Sequence, residues 1–218
     1  GYLRVSPPLV EFEDTLLGGA TERIANATFR LMDPVSQRMM GVRADMTQQV
    51  ARIATTRLTR SPRPLRLAYS GQVLRVRGSQ LRPEREFLQA GAELIGSAEP
   101  AADAETICLA ATALQAVGVR EVSVDINLPT LVPSLCDALS LEPAVAQRLR
   151  AALDRKDIAE VEAVGGPASV LFAALLNASG PAADALVALD ALDLLPVAII
   201  ERNRLGAVIA LVNKAMPD

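Results

Sequence analysis

Two long strand-like segments, PLRLAYSGQVLRVR (64–77) and REFLQAGAELIGS (85–97), flank a short basic loop that holds Gly78 and Pro83. Apolar runs on either side of a Gly/Pro-bearing connection predict an antiparallel hairpin, and that hairpin constrains the fold more than any other feature. Successive residues of a strand face opposite sides, so Gln89 and Glu93, four apart, share one face of the second strand.

Shorter elements surround the hairpin. GYLRVSPPLVEFEDTLLGG opens with an extended piece, breaks at Pro7 and Pro8, and continues as a brief helical stretch closed by Gly18 and Gly19. ATFRLMD and QRMMGVR read as β-like runs around the turn Asp33-Pro34. Met46, Val50, Ile53 and Ala54 recur at helical spacing, which predicts a helix starting near Asp45 or Thr47 and broken by SPRP at 61–64. AADAETICLAATALQAVG predicts a helix with Ile107, Ala110, Ala111, Leu114 and Val117 on one face and Gly118 as its stop. In REVSVDIN the alternation of Val122, Val124 and Ile126 predicts a strand with one buried face. After Leu128 the chain turns to short helical segments, most of them separated by Pro or Gly, with no repeat of fixed period. The expectation is an α+β portion over 1–128 and an all-helical unit over 129–218.

Composition narrows the chemistry. Half of the 218 residues are hydrophobic while aromatics make up 3 % and Trp is absent, so the core must be built from Leu, Val, Ile and Ala. Histidine is absent altogether, which removes an imidazole base, a His-bound metal and any Ser-His-Asp or Cys-His nucleophile. Cys108 and Cys136 sit in apolar segments away from metal-ligand spacing and read as buried thiols of a reducing cytoplasm. The chain begins at Gly1 without a signal peptide, and no apolar run reaches the length of a membrane span; a cytoplasmic protein, cut as a fragment, is expected. Net charge is −3, which asks for no nucleic acid. The basic residues are nonetheless uneven: eleven arginines (38, 43, 52, 57, 60, 63, 66, 75, 77, 82 and 85) lie between Arg38 and Arg85 against Asp45 and Glu84. Either a solvated face or an anion-binding surface accounts for them, Arg being suited to phosphate and carboxylate.

Three segments, in order, resemble the catalytic domain of the class II aminoacyl-tRNA synthetases in its histidyl branch. GYLRVSPPLVEFED resembles motif 1, the Pro-bearing dimer segment; VRADMTQQVARIA resembles the LRPDMT segment; the hairpin ending in REFLQAGAELIG resembles motif 2. The resemblance implies an antiparallel class II sheet with flanking helices followed by a helical insertion-like unit. It also implies that Asp45 and Thr47 hold the amino group of histidine, that Gln89 and Glu93 meet its imidazole, and that Arg75 reaches a phosphate. An ordinary helix-end role for Asp45, exposed strand polars at Gln89 and Glu93, and a surface cation at Arg75 are the plainer alternatives.

The chain departs from that pattern at one telling place. Two residues after the motif 2 arginine the family sets a carboxylate for the adenine amino group, and this chain has Arg77. A donor then faces a donor, an unmatched polar contact costing about 1–3 kcal/mol. The RGLDYYTG-like and glycine-rich arginine motifs that complete the family's site are not found. Loss of the adenine contact with the histidine contacts kept resembles the non-catalytic branch, the regulatory subunits of ATP phosphoribosyltransferase. That resemblance implies no catalytic residue, no cofactor and no metal. It further implies a homodimer within a hetero-oligomer that includes the short-form catalytic subunit, a part in the first step of histidine biosynthesis, and histidine as a feedback ligand. A histidine-tRNA ligase with an unusual adenine site is the alternative, with amino-acid sensors a more distant one.

Overall fold

The computed structural model describes residues 1–81 and 83–216. Arg82, one of the eleven clustered arginines, lies outside the described residues. Contacts group the chain into two compact units, Gly1–Ala98 and Glu99–Asp218.

The first unit carries two three-stranded sheets. In one, β1 (Leu3–Arg4) pairs in parallel with β5 (Leu65–Leu74), and β5 pairs antiparallel with β6 (Glu86–Ile95) along ten residues, Leu65 opposite Ile95 through Leu74 opposite Glu86. In the other, β4 (Met39–Val42) lies between β2 (Val10–Phe12) and β3 (Phe29–Met32), all antiparallel. The β3–β4 hairpin is the one predicted around Asp33-Pro34. The Asp33 carboxylate receives the N–H groups of Val35 and Ser36 and so closes the turn. Two short helices, α1 (Glu13–Leu16) and α2 (Glu22–Ala27), precede β3; α2 was not expected from sequence.

Helix α3 (Thr47–Thr56) starts at one of the two expected positions. Its apolar stripe, with Met46 just ahead, packs onto one face of β5, giving a core of Met46, Val50, Ala54, Leu65, Leu67, Tyr69 and Val73. Every second residue of β5 points to that core except at Gly71. A Cβ there would fall on the Arg43 guanidinium, so Gly71 is what admits a buried cation beside the strand. Arg43 is only 5 % exposed. Its Nε donates to Gln72 O (2.8 Å) and its Nη1 to Pro7 O (2.6 Å). Burial pulls its pKa below the ordinary arginine value, with Glu11 opposing. Glu11 itself takes both a two-oxygen contact from Arg52 Nη2 (2.5 and 2.6 Å) and Gln49 Nε2 (2.8 Å), while Gln49 also donates to Pro8 O. The segment around Pro7 and Pro8 is thereby held to α3 and β5 through charged and amide groups, beside the packing of Val5 on the core.

The second unit is helical: α4 (Pro100–Ala116), α5 (Leu131–Ala138), α6 (Pro143–Asp154), α7 (Ile158–Gly165), a 3₁₀ turn at Gly166–Ala168, α8 (Ser169–Asn177), α9 (Ala182–Asp190) and α10 (Pro196–Ala215). Leu135, Cys136, Leu149, Ala152, Val161, Phe172 and Ala198 form its core. Burial raises the Cys136 thiol pKa, and Cys108 is half-buried. Pro sits in the first turn of α4, α6 and α10, where its missing N–H has no helical partner to lose.

Two expectations are corrected. REVSVDIN is not a strand: no described residue pairs with it, and Val124 and Ile126 are 47 % and 38 % exposed. Alternation creates an apolar edge, but a strand forms only where another supplies its backbone partners. Of the residues read as one face of α4, Ala111 is buried while Ala110, Leu114 and Val117 are exposed. Ile158–Asn177 is apolar and long enough to count as a candidate membrane span by composition, which the sequence reading passed over. Here it folds as two helices packed on each other across the 3₁₀ turn, with Val161 and Phe172 in the core. Within the second unit α4 packs on α10.

Candidate functional site

The residues that sequence singled out meet where the start of α3 crosses the middle of β5 and β6. Residues directly opposite in an antiparallel pair share a face. Tyr69 opposite Gly91, Gly71 opposite Gln89, and Leu67 opposite Glu93 therefore put Tyr69, Gln89 and Glu93 on the side occupied by Met46 and Val50. That row of β6 is bounded by Phe87 and Ile95, both packed on the core, so Gln89 and Glu93 are polar interruptions in an apolar row.

Asp45 lies just ahead of α3 and receives the Thr47 N–H on Oδ1 (2.8 Å), an Asx turn leading into the helix. Its Oδ2 receives Gln89 Nε2 (3.3 Å), and Gln89 Oε1 in turn receives the Met46 N–H (3.0 Å). Both ends of the Gln89 amide are thus tied to the Asp45–Met46 backbone turn, 43 and 44 residues earlier in the chain. On the other side, Thr47 Oγ1 lies 3.0 Å from the Tyr69 hydroxyl, which donates to Glu93 Oε1 (3.0 Å). Asp45, Thr47, Gln89 and Glu93 are brought together, and Tyr69 joins two of them.

Tyr69 is the residue that sequence reasoning missed. It is 6 % exposed, and its phenol pKa is pushed up to about 12, chiefly by burial. The Thr47 hydrogen bond works against that rise; the Glu93 hydrogen bond and the Glu93 and Asp45 charges add to it. A signal was present, since Gly91 stands in the middle of a strand. Its absent side chain is what leaves room for the ring, as a Cβ there would sit 2.5 Å from Tyr69 Cζ and Oη.

Arg75 lies just beyond the end of β5. Its Nε approaches Ala44 O (3.4 Å) and its guanidinium covers the Phe87 ring at 4.8 Å, a cation–π contact. Its backbone N–H donates to Arg85 O (2.7 Å) across the base of the loop. Arg75 and Arg77 line a cavity of about 500 Å³ together with Gly78, Ser79, Leu81, Glu84, Glu86 and Phe87. The lining of this cavity thus includes two arginines, Arg75 and Arg77, and two carboxylates, Glu84 and Glu86.

The model of the family described as histidyl-tRNA synthetase matches residues 1–218. The chain belongs to the histidyl-tRNA synthetase family. Within it, the chain is similar along its whole length to ATP phosphoribosyltransferase regulatory subunits of Rhodospirillum centenum (58 % identical, covering 56 % of that protein) and Paramagnetospirillum magneticum (58 % identical, covering 58 %). It spans rather more than half the length of these curated relatives. Among solved structures, the ATP phosphoribosyltransferase regulatory subunit/histidyl-tRNA synthetase of Bacillus halodurans matches 98 % of this chain at 27 % identity, covers 56 % of its own length, and has a TM-score of 0.81. A histidyl-tRNA synthetase from a Nostoc species, at 18 % identity and a TM-score of 0.74 over all of this chain and 51 % of its own, shares the fold. The class II synthetase-like sheet with flanking helices, followed by a helical part, is the fold of this family member.

Proposed function

We propose that this protein is a regulatory subunit of ATP phosphoribosyltransferase, non-catalytic in itself and required with the short-form catalytic subunit for the first step of histidine biosynthesis. The observation that carries the reading is Arg77 at the Arg75 cavity, where a working synthetase of this family needs an acceptor for the adenine amino group. An extra guanidinium can only donate. The 58 % identity to regulatory subunits along the full length of the chain supports the same assignment.

On this reading the Asp45–Thr47–Gln89–Glu93 pocket is retained as a binding site for histidine. Feedback then requires that histidine bind two states of the assembly unequally. The catalytic-domain portion runs through residue 128, a helical insertion-like domain follows, and the complex works in the cytoplasm. The segment resembling motif 1 supports a homodimer inside the hetero-oligomer.

The test uses the full-length protein. Added to a short-form catalytic subunit, it is expected to co-purify with it and raise its rate of phosphoribosyl transfer, and to give no histidine-dependent exchange of pyrophosphate into ATP. Exchange activity would instead make it a histidine-tRNA ligase, and absence of both association and activation would remove the regulatory reading.

A further inference from the structure

The hydrogen-bond chain through Tyr69 has a direction. A carboxylate has no hydrogen to give, so the 3.0 Å contact to Glu93 Oε1 takes the single Tyr69 hydroxyl hydrogen. Tyr69 Oη then receives the hydrogen of Thr47 Oγ1, also at 3.0 Å. Thr47, whose hydroxyl alone could turn either way, is left with lone pairs only. Its neighbours along the chain offer no free hydrogen either. Asp45 is a carboxylate, and the Thr47 N–H is already committed to Asp45 Oδ1. The Gln89 carbonyl is occupied by the Met46 N–H, and one of the two hydrogens of its amide nitrogen is given to Asp45 Oδ2.

We propose that Tyr69 sets the specificity of this pocket by holding Thr47 as an obligate hydrogen-bond acceptor, so that the site takes a ligand ammonium group and rejects the same ligand with a hydroxyl in its place. The inference rests on the reading of the pocket as an amino-acid site. An ammonium offers three hydrogens, enough for Asp45 and Thr47 together. A hydroxyl offers one, and whichever acceptor it satisfies, its own lone pairs face the other. Tyr69 is a positioning residue here: it acts through Thr47 and needs no contact with the ligand.

The experiment is isothermal titration of the full-length protein with L-histidine and with its α-hydroxy counterpart, L-β-imidazolelactate. The native protein is expected to prefer histidine by about 100-fold or more, the loss of a charged hydrogen bond together with an unmatched lone pair. In Tyr69→Phe the Thr47 hydroxyl is free to turn and donate. Histidine is expected to bind about 5- to 10-fold more weakly, imidazolelactate unchanged or more tightly, and the preference to shrink by about 10-fold. Thr47→Val, which removes the acceptor without touching the strand pair, is expected to lower the preference by itself and to make a further Tyr69→Phe change without effect on the ratio. If Tyr69→Phe weakens both ligands equally, the tyrosine is merely structural and the inference falls while the pocket reading stands. If the native protein binds no histidine, both fall together.

Discussion

Gly91→Ala is a one-methyl change whose cost follows from the β5–β6 register. Gly91 lies opposite Tyr69, and the added Cβ would be 2.5 Å from Tyr69 Cζ and Oη and 2.8 Å from Cε2. Carbon atoms rest at about 3.5–4.0 Å, so the ring must retreat by about 1 Å. It has no empty space behind it, since Tyr69 is part of the buried core with Met46 and Val50. Overpacking of this kind costs about 1–3 kcal/mol. The retreat also carries the hydroxyl away from Thr47 and Glu93, each 3.0 Å away, at about 1 kcal/mol per hydrogen bond. Replacing glycine by alanine restricts the unfolded chain and returns about 0.4–1 kcal/mol. The net expectation is a destabilisation of about 2–4 kcal/mol, measured by equilibrium urea unfolding followed by far-UV circular dichroism. Made in a Tyr69→Ala background, where the ring is gone, the same change is expected to be neutral or slightly stabilising. A cost below about 0.5 kcal/mol in the native background, or an equal cost in both, would refute the argument that Gly91 exists to seat Tyr69.

Three further outcomes are expected. The folded-state pKa of Tyr69, about 12 against an ordinary value of 10.0, makes the unfolded chain release that proton first as pH rises. The contribution is therefore complete below pH 10 and lost between 10 and about 12. It amounts to at most about 3 kcal/mol, so urea midpoints of the native protein and Tyr69→Phe should converge over that range, and parallel curves would contradict it. Arg43→Met leaves the Pro7 and Gln72 carbonyls without their guanidinium donor and should destabilise the protein by about 2–4 kcal/mol in the same assay, with a change under about 1 kcal/mol counting against a structural role. Phe172→Ala empties the centre of the helical core, where the ring is fully buried. A loss of about 3–5 kcal/mol is expected, and a shift in thermal midpoint too small to measure would mean the helices repack around the gap.

Much of this architecture can be read along the chain, because it is set by local chemistry. Pro or Gly separates most of the helices from α5 to α10; the 3.6-residue recurrence of Met46, Val50 and Ala54 marks α3; and strand-like runs on either side of a Gly/Pro loop mark the β5–β6 pair. The family motifs add Asp45, Thr47, Gln89 and Glu93. What the tertiary structure decided are matters of register and partnership. A period of two says which residues share a face of one strand, but not which residue of the next strand lies opposite. Tyr69 facing Gly91, and so bridging Thr47 to Glu93, depends on that choice. Arg43 reads as one surface cation among eleven until Gly71 leaves a gap that buries it. REVSVDIN has the pattern of a strand and remains unpaired among the described residues, because backbone hydrogen bonds between strands need a second segment brought alongside. Local pattern settles what each segment can become; long-range contact settles which of those possibilities is realised.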